Sequence, residues 1–180
     1  MDKTIIGNIE KFAIGYNFYD DTRFTELFLY IDGVNVLEFA VDGQVVTTKW
    51  NLDDLAFWLR HFIDNMSDDP YPFDVEGSCA AEKDENARSF ESDDDDVFDA
   101  YYDKIDSWNE RHRWHPACNG AILADVYFMA KDNLVEISWN NVNVYDDIKF
   151  TNLTGFSLVD KQTFYLVSDS FLKEYAKHWF

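Results

Sequence analysis

The sequence predicts a single α+β domain of 180 residues, in which an antiparallel sheet of hairpins packs against about three helices. Strand-like runs joined by Asp-Gly turns occupy the first third of the chain, and further strand-like runs follow after residue 121. Helical periodicity appears in other segments, separate from these runs. Apolar residues make up 47% of the chain and aromatic residues 18%. That is enough for a core without disulfide or metal, since a chain of this length buries about 70% of its unfolded surface.

The first part of the chain alternates as strands do. Apolar residues recur with period two over 12–18. Further strands are predicted over 24–31, 34–41 and 44–50. Asp32-Gly33 and Asp42-Gly43 separate them, and Asp-Gly is typical of type I′ hairpins because both central positions need positive φ. The segment 24–50 is therefore predicted to form a three-stranded meander.

Three segments have helical periodicity. The first is 52–66, with Asn51 as its predicted N-cap. The second runs from Val97 to about His115 and carries an apolar stripe. The stripe consists of Phe98, Tyr101, Tyr102, Ile105, Trp108 and His112. The third is predicted to start at Ser168 or Asp169 and to end near the C-terminus.

The segments between these helices are predicted from weaker signals. Residues 67–96 are predicted to be an acidic loop with at most a short helical turn. A second hairpin is predicted over 122–130 and 134–140, followed by one or two strands over 156–167.

The formal net charge of −20 argues against direct binding of nucleic acid or of an anionic membrane. It permits plain solubility, cation binding or attraction to a basic partner. No apolar stretch approaches the roughly 20 residues of a membrane helix, and the first twelve residues lack the apolar core of a signal peptide. Two cysteines, Cys79 and Cys118, are too few for a disulfide framework, although one bridge between them stays open. A cytoplasmic protein is expected.

The acidic residues are concentrated in 64–110, which holds seventeen Asp and Glu against three Lys and Arg, a net −14. In the predicted helix, four of them share one face within about 60° at 100° per residue. These are Asp99, Asp103, Asp106 and Glu110, and Asp93, Asp94, Asp95 and Asp96 lie just ahead of them. A face of one sign predicts contact with a basic partner, and the alternative is a solvated helix face.

A second interpretation rests on the end of the same helix. His112, His115 and Cys118 recur every three residues, imidazole and thiolate suit zinc, and Cys79 could complete a set of four ligands. This pattern is the basis of the alternative, a metal-binding or hydrolytic enzyme. No P-loop, dinucleotide fingerprint or nucleophile motif is present, so no catalytic residue and no cofactor are predicted.

About half of the chain resembles a group of uncharacterised bacterial domains found near toxin or phage-defence genes. The residues that carry the resemblance are Trp108, His112, Trp114, His115, Gly120, Asp125, Tyr127, Phe128 and the run 136–140, with Trp50, Trp58, Tyr71 and Pro72 in looser agreement. The resemblance implies a defence or toxin-neutralising setting and transfers no catalytic residues.

Together these observations predict an immunity, antitoxin or anti-defence protein without enzymatic activity. It would occupy a basic surface of a toxin or of a nucleic-acid-handling defence protein. The alternatives are the enzyme centred on His112, His115 and Cys118, and a non-inhibitory scaffold subunit of a bacterial defence complex.

Overall fold

The computed structural model describes residues 3–17, 24–114, 121–142 and 144–179. Within these ranges the chain forms four helices and three antiparallel sheets, which confirms the predicted α+β class. The segment 67–96 is largely irregular, but it also contains one of the four helices.

The first seven strands build two of the sheets. They are β1 (Thr4–Asn8), β2 (Phe12–Tyr16), β3 (Phe24–Ile31), β4 (Val34–Asn35), β5 (Glu38–Val41), β6 (Gln44–Thr47) and β7 (Lys49–Asn51). One sheet has the order β1-β2-β3-β4, with β7 also paired to β3, and β5 and β6 form a hairpin in the second sheet. Both Asp-Gly turns have positive φ at both residues, as the sequence predicts for hairpins.

The predicted meander over 24–50 is wrong in its second and third strands, because each is divided between the two sheets; in the third, β6 pairs with β5 and β7 pairs with β3. In the second, β4 pairs with β3, whereas β5 pairs with β6. The buried Asn35 side chain explains the break in the second strand. Its Oδ1 accepts hydrogen bonds from the N–H groups of Leu29 and Leu37, at 3.1 and 3.3 Å, where a continuing ladder would use backbone carbonyls.

Helix α1 (Leu52–Asp64) starts as predicted and ends two residues earlier than predicted. The Asn51 side chain caps it by accepting a hydrogen bond from the Asp53 N–H at 3.0 Å. Its buried face consists of Leu52, Leu55, Ala56, Trp58, Leu59 and Phe62.

Two further helices follow within the acidic part of the chain. Helix α2 (Ala80–Ala87) occupies the place where the sequence predicts only a helical turn. Helix α3 (Asp95–His112) begins two residues before the predicted start at Val97 and ends three residues before the predicted end at His115. Arg113 already has extended backbone, so the helical ladder stops there.

The third sheet has the order β11-β9-β8. Its strands are β8 (Val126–Lys131), β9 (Leu134–Asn140) and β11 (Thr154–Asp160), while the two-residue β10 (Lys149–Phe150) pairs with β5 in the second sheet. β9 has its predicted bounds, whereas β8 begins at Val126 and not at residue 122.

The last helix corrects the prediction most. Helix α4 (Lys161–Trp179) starts directly after β11, so the predicted strand is wrong beyond Asp160 and the predicted cap at Ser168 or Asp169 is wrong. The buried apolar residues of α4 have helical spacing, which lets this helix cover the core. They are Phe164, Val167, Phe171 and Tyr175. This packing overrides the strand propensity of the run 163–167.

The buried apolar side chains form two clusters. The larger one joins the first sheet, α1, α4 and the inner face of the third sheet. The smaller one lies between α2, α3, β8 and the loop around Tyr71, and it includes Ile105 and Trp108 of α3. In the ranges described, no helix combines the length and the apolar character needed to cross a membrane.

Candidate functional site

The eight acidic residues predicted to bind a partner are all exposed. They are Asp93, Asp94, Asp95, Asp96, Asp99, Asp103, Asp106 and Glu110. The predicted apolar stripe on the opposite face is buried at Ile105, Trp108 and His112 and half-buried at Tyr101 and Tyr102. Phe98, at its start, is exposed, so this part of the prediction is wrong. Along the axis, Asp99 and Glu110 are about 16 Å apart at 1.5 Å per residue.

Helix α2 and the segments on either side of it hold α3 in place. Tyr101 lies between Phe73 and Phe90, with both ring centroids 4.0 Å from its own and nearly parallel planes. Its hydroxyl donates to the carbonyl of Ala87 at 3.1 Å, and the Tyr102 hydroxyl approaches the Arg88 carbonyl at 2.9 Å. The acidic face is therefore carried by a helix that is fixed along its apolar side.

The eight carboxylates have no ion pair with any residue in the described part of the chain. Lys104 is the only cation of α3 before Arg111, and its ammonium group lies 5.9 Å from the Phe73 ring centroid. The acidic face is thus uncompensated from the start of α3 to Glu110.

One of the eight has a clear structural role. The Asp94 carboxylate caps α3 by accepting hydrogen bonds from the N–H groups of Asp96 and Val97, at 3.1 and 3.3 Å. Asp95 and Asp96 lie in the first turn, where the partial positive charge of the helix N-terminus favours carboxylates. The run of four aspartates therefore stabilises the N-terminus of α3 and also contributes negative charge to the surface.

At its other end α3 carries a buried histidine. The His112 ring stacks on Trp108 with centroids 4.3 Å apart. Nδ1 lies 2.8 Å from the Phe128 carbonyl oxygen, and Nε2 lies 2.8 Å from Oδ2 of Asp69. The same carboxylate accepts from Nε and Nη2 of Arg111, at 3.0 and 2.9 Å. Both ring nitrogens of His112 therefore lie within hydrogen-bond distance of an oxygen, one of a backbone carbonyl and one of a carboxylate.

Asp69 is the counterion of this group. Its partial burial favours the neutral acid, but the hydrogen bonds and charges of His112 and Arg111 outweigh burial and lower the pKa of the Asp69 carboxyl. The three side chains border a cleft of about 370 Å³ that also reaches His61 and Asn65. The result is an ion cluster that ties the end of α3 to the loop after α1.

This geometry bears on the metal alternative. Both ring nitrogens of His112 are already engaged in hydrogen bonds, one with the Phe128 carbonyl and one with the Asp69 carboxylate, which leaves neither available to a metal in this arrangement. Across the described ranges, no three His, Cys, Asp or Glu side chains are grouped so as to hold a metal. The other two candidates, His115 and Cys118, lie outside the described residues. Cys79 is a buried free thiol just before α2, and burial raises the pKa of that thiol.

The sequence did not predict a second polar cluster, which is centred on Asp84 of α2. Asp84 is 2% exposed, and four side chains donate to its carboxylate. They are Tyr71 at 3.2 Å, Arg88 at 2.8 Å, Asn109 at 3.0 Å and Tyr127 at 3.0 Å. Since these donors come from a loop, α2, α3 and β8, the cluster fixes the relative positions of these elements.

An adjacent ion pair extends this cluster. Arg113, just after α3, donates from Nε to Asp125, and the Tyr127 hydroxyl lies 3.1 Å from the second oxygen of the same carboxylate. Burial, and then the neighbouring carboxylates, raise the pKa of Tyr127, so its hydroxyl stays protonated as a donor. With two aspartates against two arginines, the group has no net charge. Because Asp84 is inaccessible to solvent, the cluster is structural.

Helix α2 is attached to the sheet by a third buried acid. The Glu136 carboxylate accepts a hydrogen bond from the Ala80 N–H at 2.6 Å, and the Ser138 hydroxyl accepts from the Ala81 N–H at 3.2 Å. Burial raises the pKa of the Glu136 carboxyl despite these bonds. In the sequence, Glu136 and Ser138 look like the solvent-facing positions of an alternating strand, so nothing there indicates that a helix end covers them.

Comparison with protein-family models, with curated proteins and with solved structures found no match for this chain. The resemblance to bacterial defence-associated domains therefore remains a prediction. The class of the chain is an α+β domain with one uncompensated acidic helix.

Proposed function

We propose that this protein is an acidic inhibitor that binds a basic surface of another protein through α3 and the aspartates before it. The setting would be bacterial conflict, with an immunity, antitoxin or anti-defence role. The observation that carries the proposal is the uncompensated face from Asp93 to Glu110, on which all eight carboxylates are exposed and none has an ion-pair partner among the described residues.

Charge complementarity supports a basic partner. Carboxylates one helical turn apart are about 5–6 Å from each other along the axis, which is of the same order as the spacing of phosphates along a nucleic-acid strand. A groove that binds nucleic acid offers Lys and Arg at matching intervals. The partner would thus be a toxin or a nucleic-acid-handling defence protein, and the long-range field would accelerate association.

Preorganisation supports the same proposal. The stacking of Tyr101 between Phe73 and Phe90 and the cap at Asp94 fix the helix before any partner arrives. Binding through a prefixed helix avoids the free-energy cost of ordering it. A cytoplasmic location belongs to the proposal, and the free thiol of Cys79 is consistent with it.

The test compares two double charge reversals. Asp99→Lys with Asp103→Lys changes the acidic face, while Asp146→Lys with Asp147→Lys makes the same change in charge at exposed positions outside α3. The partner is identified as the host protein that binds to the wild type and to the Asp146→Lys, Asp147→Lys variant but does not bind to the Asp99→Lys, Asp103→Lys variant. With that partner purified, we expect the α3 reversal to lower the association rate at least about tenfold at low salt, and to lessen its salt dependence.

The partner's own activity separates inhibitor from scaffold. An inhibitor abolishes that activity, or displaces nucleic acid from the partner, at a one-to-one ratio, whereas a scaffold leaves it unchanged. Equal binding of both reversal variants would contradict the role of the α3 face.

A further inference from the structure

We propose that β11 is a self-association edge, along which a second copy of the chain pairs antiparallel about a two-fold axis at Ser157. β11 has seven residues and is the longest strand at a sheet edge in the described part of the chain. It pairs with β9 at every position without a bulge. No described strand pairs with its other edge, so alternate backbone N–H and C=O groups point outward.

The side chains of β11 lack the features that usually protect an edge. Protected edge strands carry Lys, Pro or a bulge, or are covered by another element. β11 has one charged residue, Asp160 at its end, and that carboxylate already accepts from the Thr163 N–H at 3.0 Å. Phe156 and Leu158 are 47% and 55% exposed on the face that carries Glu136 and Ser138 in β9. They border a cleft of about 370 Å³ whose other lining residues are both apolar and polar: Met129, Leu134, Ser78, Lys131, Asp132 and Glu136.

Other edge strands of the sheets are either covered or shorter than β11. The outer edge of β8 is covered, because Arg113 bridges to Tyr127 and the Trp114 N–H donates to the Val126 carbonyl at 2.8 Å. β10 has two residues and β6 has four. The edge strand β1 is regularly paired and exposes Ile5, but it has five residues, so β11 is the longest edge strand with a regular register and exposed apolar side chains in the described part of the chain.

The register makes β11 complementary to itself. With the two-fold axis at Ser157, Phe156 of one copy faces Leu158 of the other, and this apolar pair occurs twice. Thr154 faces Asp160, so no like charges oppose each other. The third sheet then continues across the axis as six strands, and four large apolar side chains cover each other on the face that the end of α2 also contacts.

The distribution of charge permits this contact despite the net −20 of each chain. α3 meets the third sheet at β8, the strand farthest from β11. Across the axis, the two β8 strands are five spacings, or about 24 Å, apart. That exceeds the screening length of about 8 Å at physiological salt, so the acidic faces repel each other only weakly. Salt should strengthen this contact, whereas it should weaken binding of a basic partner.

Light scattering with size exclusion tests the proposal. At about 100 μM the wild type should have twice the chain mass of 21.2 kDa. Leu158→Lys places a charge in the apolar pair and should weaken the dimer at least about 100-fold, which gives a monomer at low micromolar concentration. Phe57→Lys makes a comparable change at a residue that is 77% exposed on α1, and should leave the dimer intact. Circular dichroism checks that both variants fold.

Cysteine cross-linking tests the register independently. Only residues on the two-fold axis face their own copy, so oxidised Ser157→Cys should form a disulfide-linked dimer. In the matched variant Thr154→Cys, the two cysteines lie about 20 Å apart at 3.4 Å per residue and should not cross-link above the wild-type background. A monomeric wild type at about 100 μM, or a dimer that Leu158→Lys leaves intact, would overturn the proposal. Equal cross-linking of the two cysteine variants would do the same.

Discussion

The acidic segment 64–110 contains two opposite kinds of carboxylate. Asp84 of α2 is almost completely buried and accepts hydrogen bonds from four side chains, whereas Asp99 and Asp103 of α3 are exposed and have no ion-pair partner among the described residues. The difference teaches that a charge run is not one feature. Some of its acids hold the fold together, and others are available to a partner.

The buried acids explain why the exposed ones are well placed. Asp84 links α2 and β8 to Asn109 of α3, and Asp69 links the end of α3 to the loop after α1. These contacts fix the helix from behind, on the side away from the acidic face. A small number of paired acids thus positions a larger number of unpaired ones.

The largest expected effect follows from removing Asp84. Asp84→Ala leaves the Tyr71 hydroxyl, the Asn109 amide and Arg88 without this acceptor, and leaves Tyr127 with Asp125 only, which should cost about 3–5 kcal/mol of unfolding free energy. Urea denaturation measures this loss of unfolding free energy. The control Asp103→Ala changes an exposed helix position and should stay within about 0.5 kcal/mol of the wild type. Similar losses in both variants would erase the distinction between the two kinds of carboxylate.

The ion cluster of Asp69 should have an intermediate, pH-dependent effect. Because the pKa of Asp69 is lowered in the folded protein, its ionised form stabilises the fold above the unfolded pKa of about 4, and this contribution is lost as pH falls through the folded pKa. Asp69→Asn should cost about 1–3 kcal/mol at pH 7 and progressively less below about pH 4.

Urea denaturation at several pH values checks the behaviour of Asp69. Asp74→Asn, at an exposed position in the same loop, is the control and should differ little from the wild type at any pH. A cost of Asp69→Asn that stayed constant down to pH 2 would contradict the lowered pKa of Asp69 in the folded protein.

A smaller contrast exists within the run of four aspartates. Asp94→Ala removes the N-cap of α3 and should cost about 1 kcal/mol, whereas Asp93→Ala should cost less than about 0.5 kcal/mol, because Asp93 accepts no capping bond. Thermal unfolding of the two single variants measures the difference. Equal losses of stability in the two variants would mean that Asp94 has no special capping role and that the four aspartates stabilise the start of α3 together.

Local patterns of the sequence sufficed for much of the fold. Strand β3, strand β9 and the cap at Asn51 follow from alternation, turn residues and capping chemistry within a few residues. The same local reasoning placed the acids of α3 on one exposed face, because helical geometry depends only on spacing.

The failures occurred where distant contacts decide the structure. The run 163–167 favours a strand locally but becomes helix because Phe164 and Val167 pack into the core. Asp84 and Glu136 are indistinguishable in sequence from solvated acids, since their donors come from other elements. Position along the chain does not reveal which acids are buried, and this limits any prediction of the site from charge alone.

The smallest effect on stability is expected from the acidic face itself. Replacing Asp99, Asp103 and Asp106 by Asn and Glu110 by Gln removes repulsion between like charges three and four residues apart, and no described ion pair is lost. The unfolding free energy should rise by a few tenths of a kcal/mol at low salt, and the gain should shrink at high salt. Partner binding should nonetheless be strongly reduced in this variant. A loss of stability above about 1 kcal/mol would instead mean that these carboxylates stabilise the fold, and the face would then be structural in the way that Asp84 is.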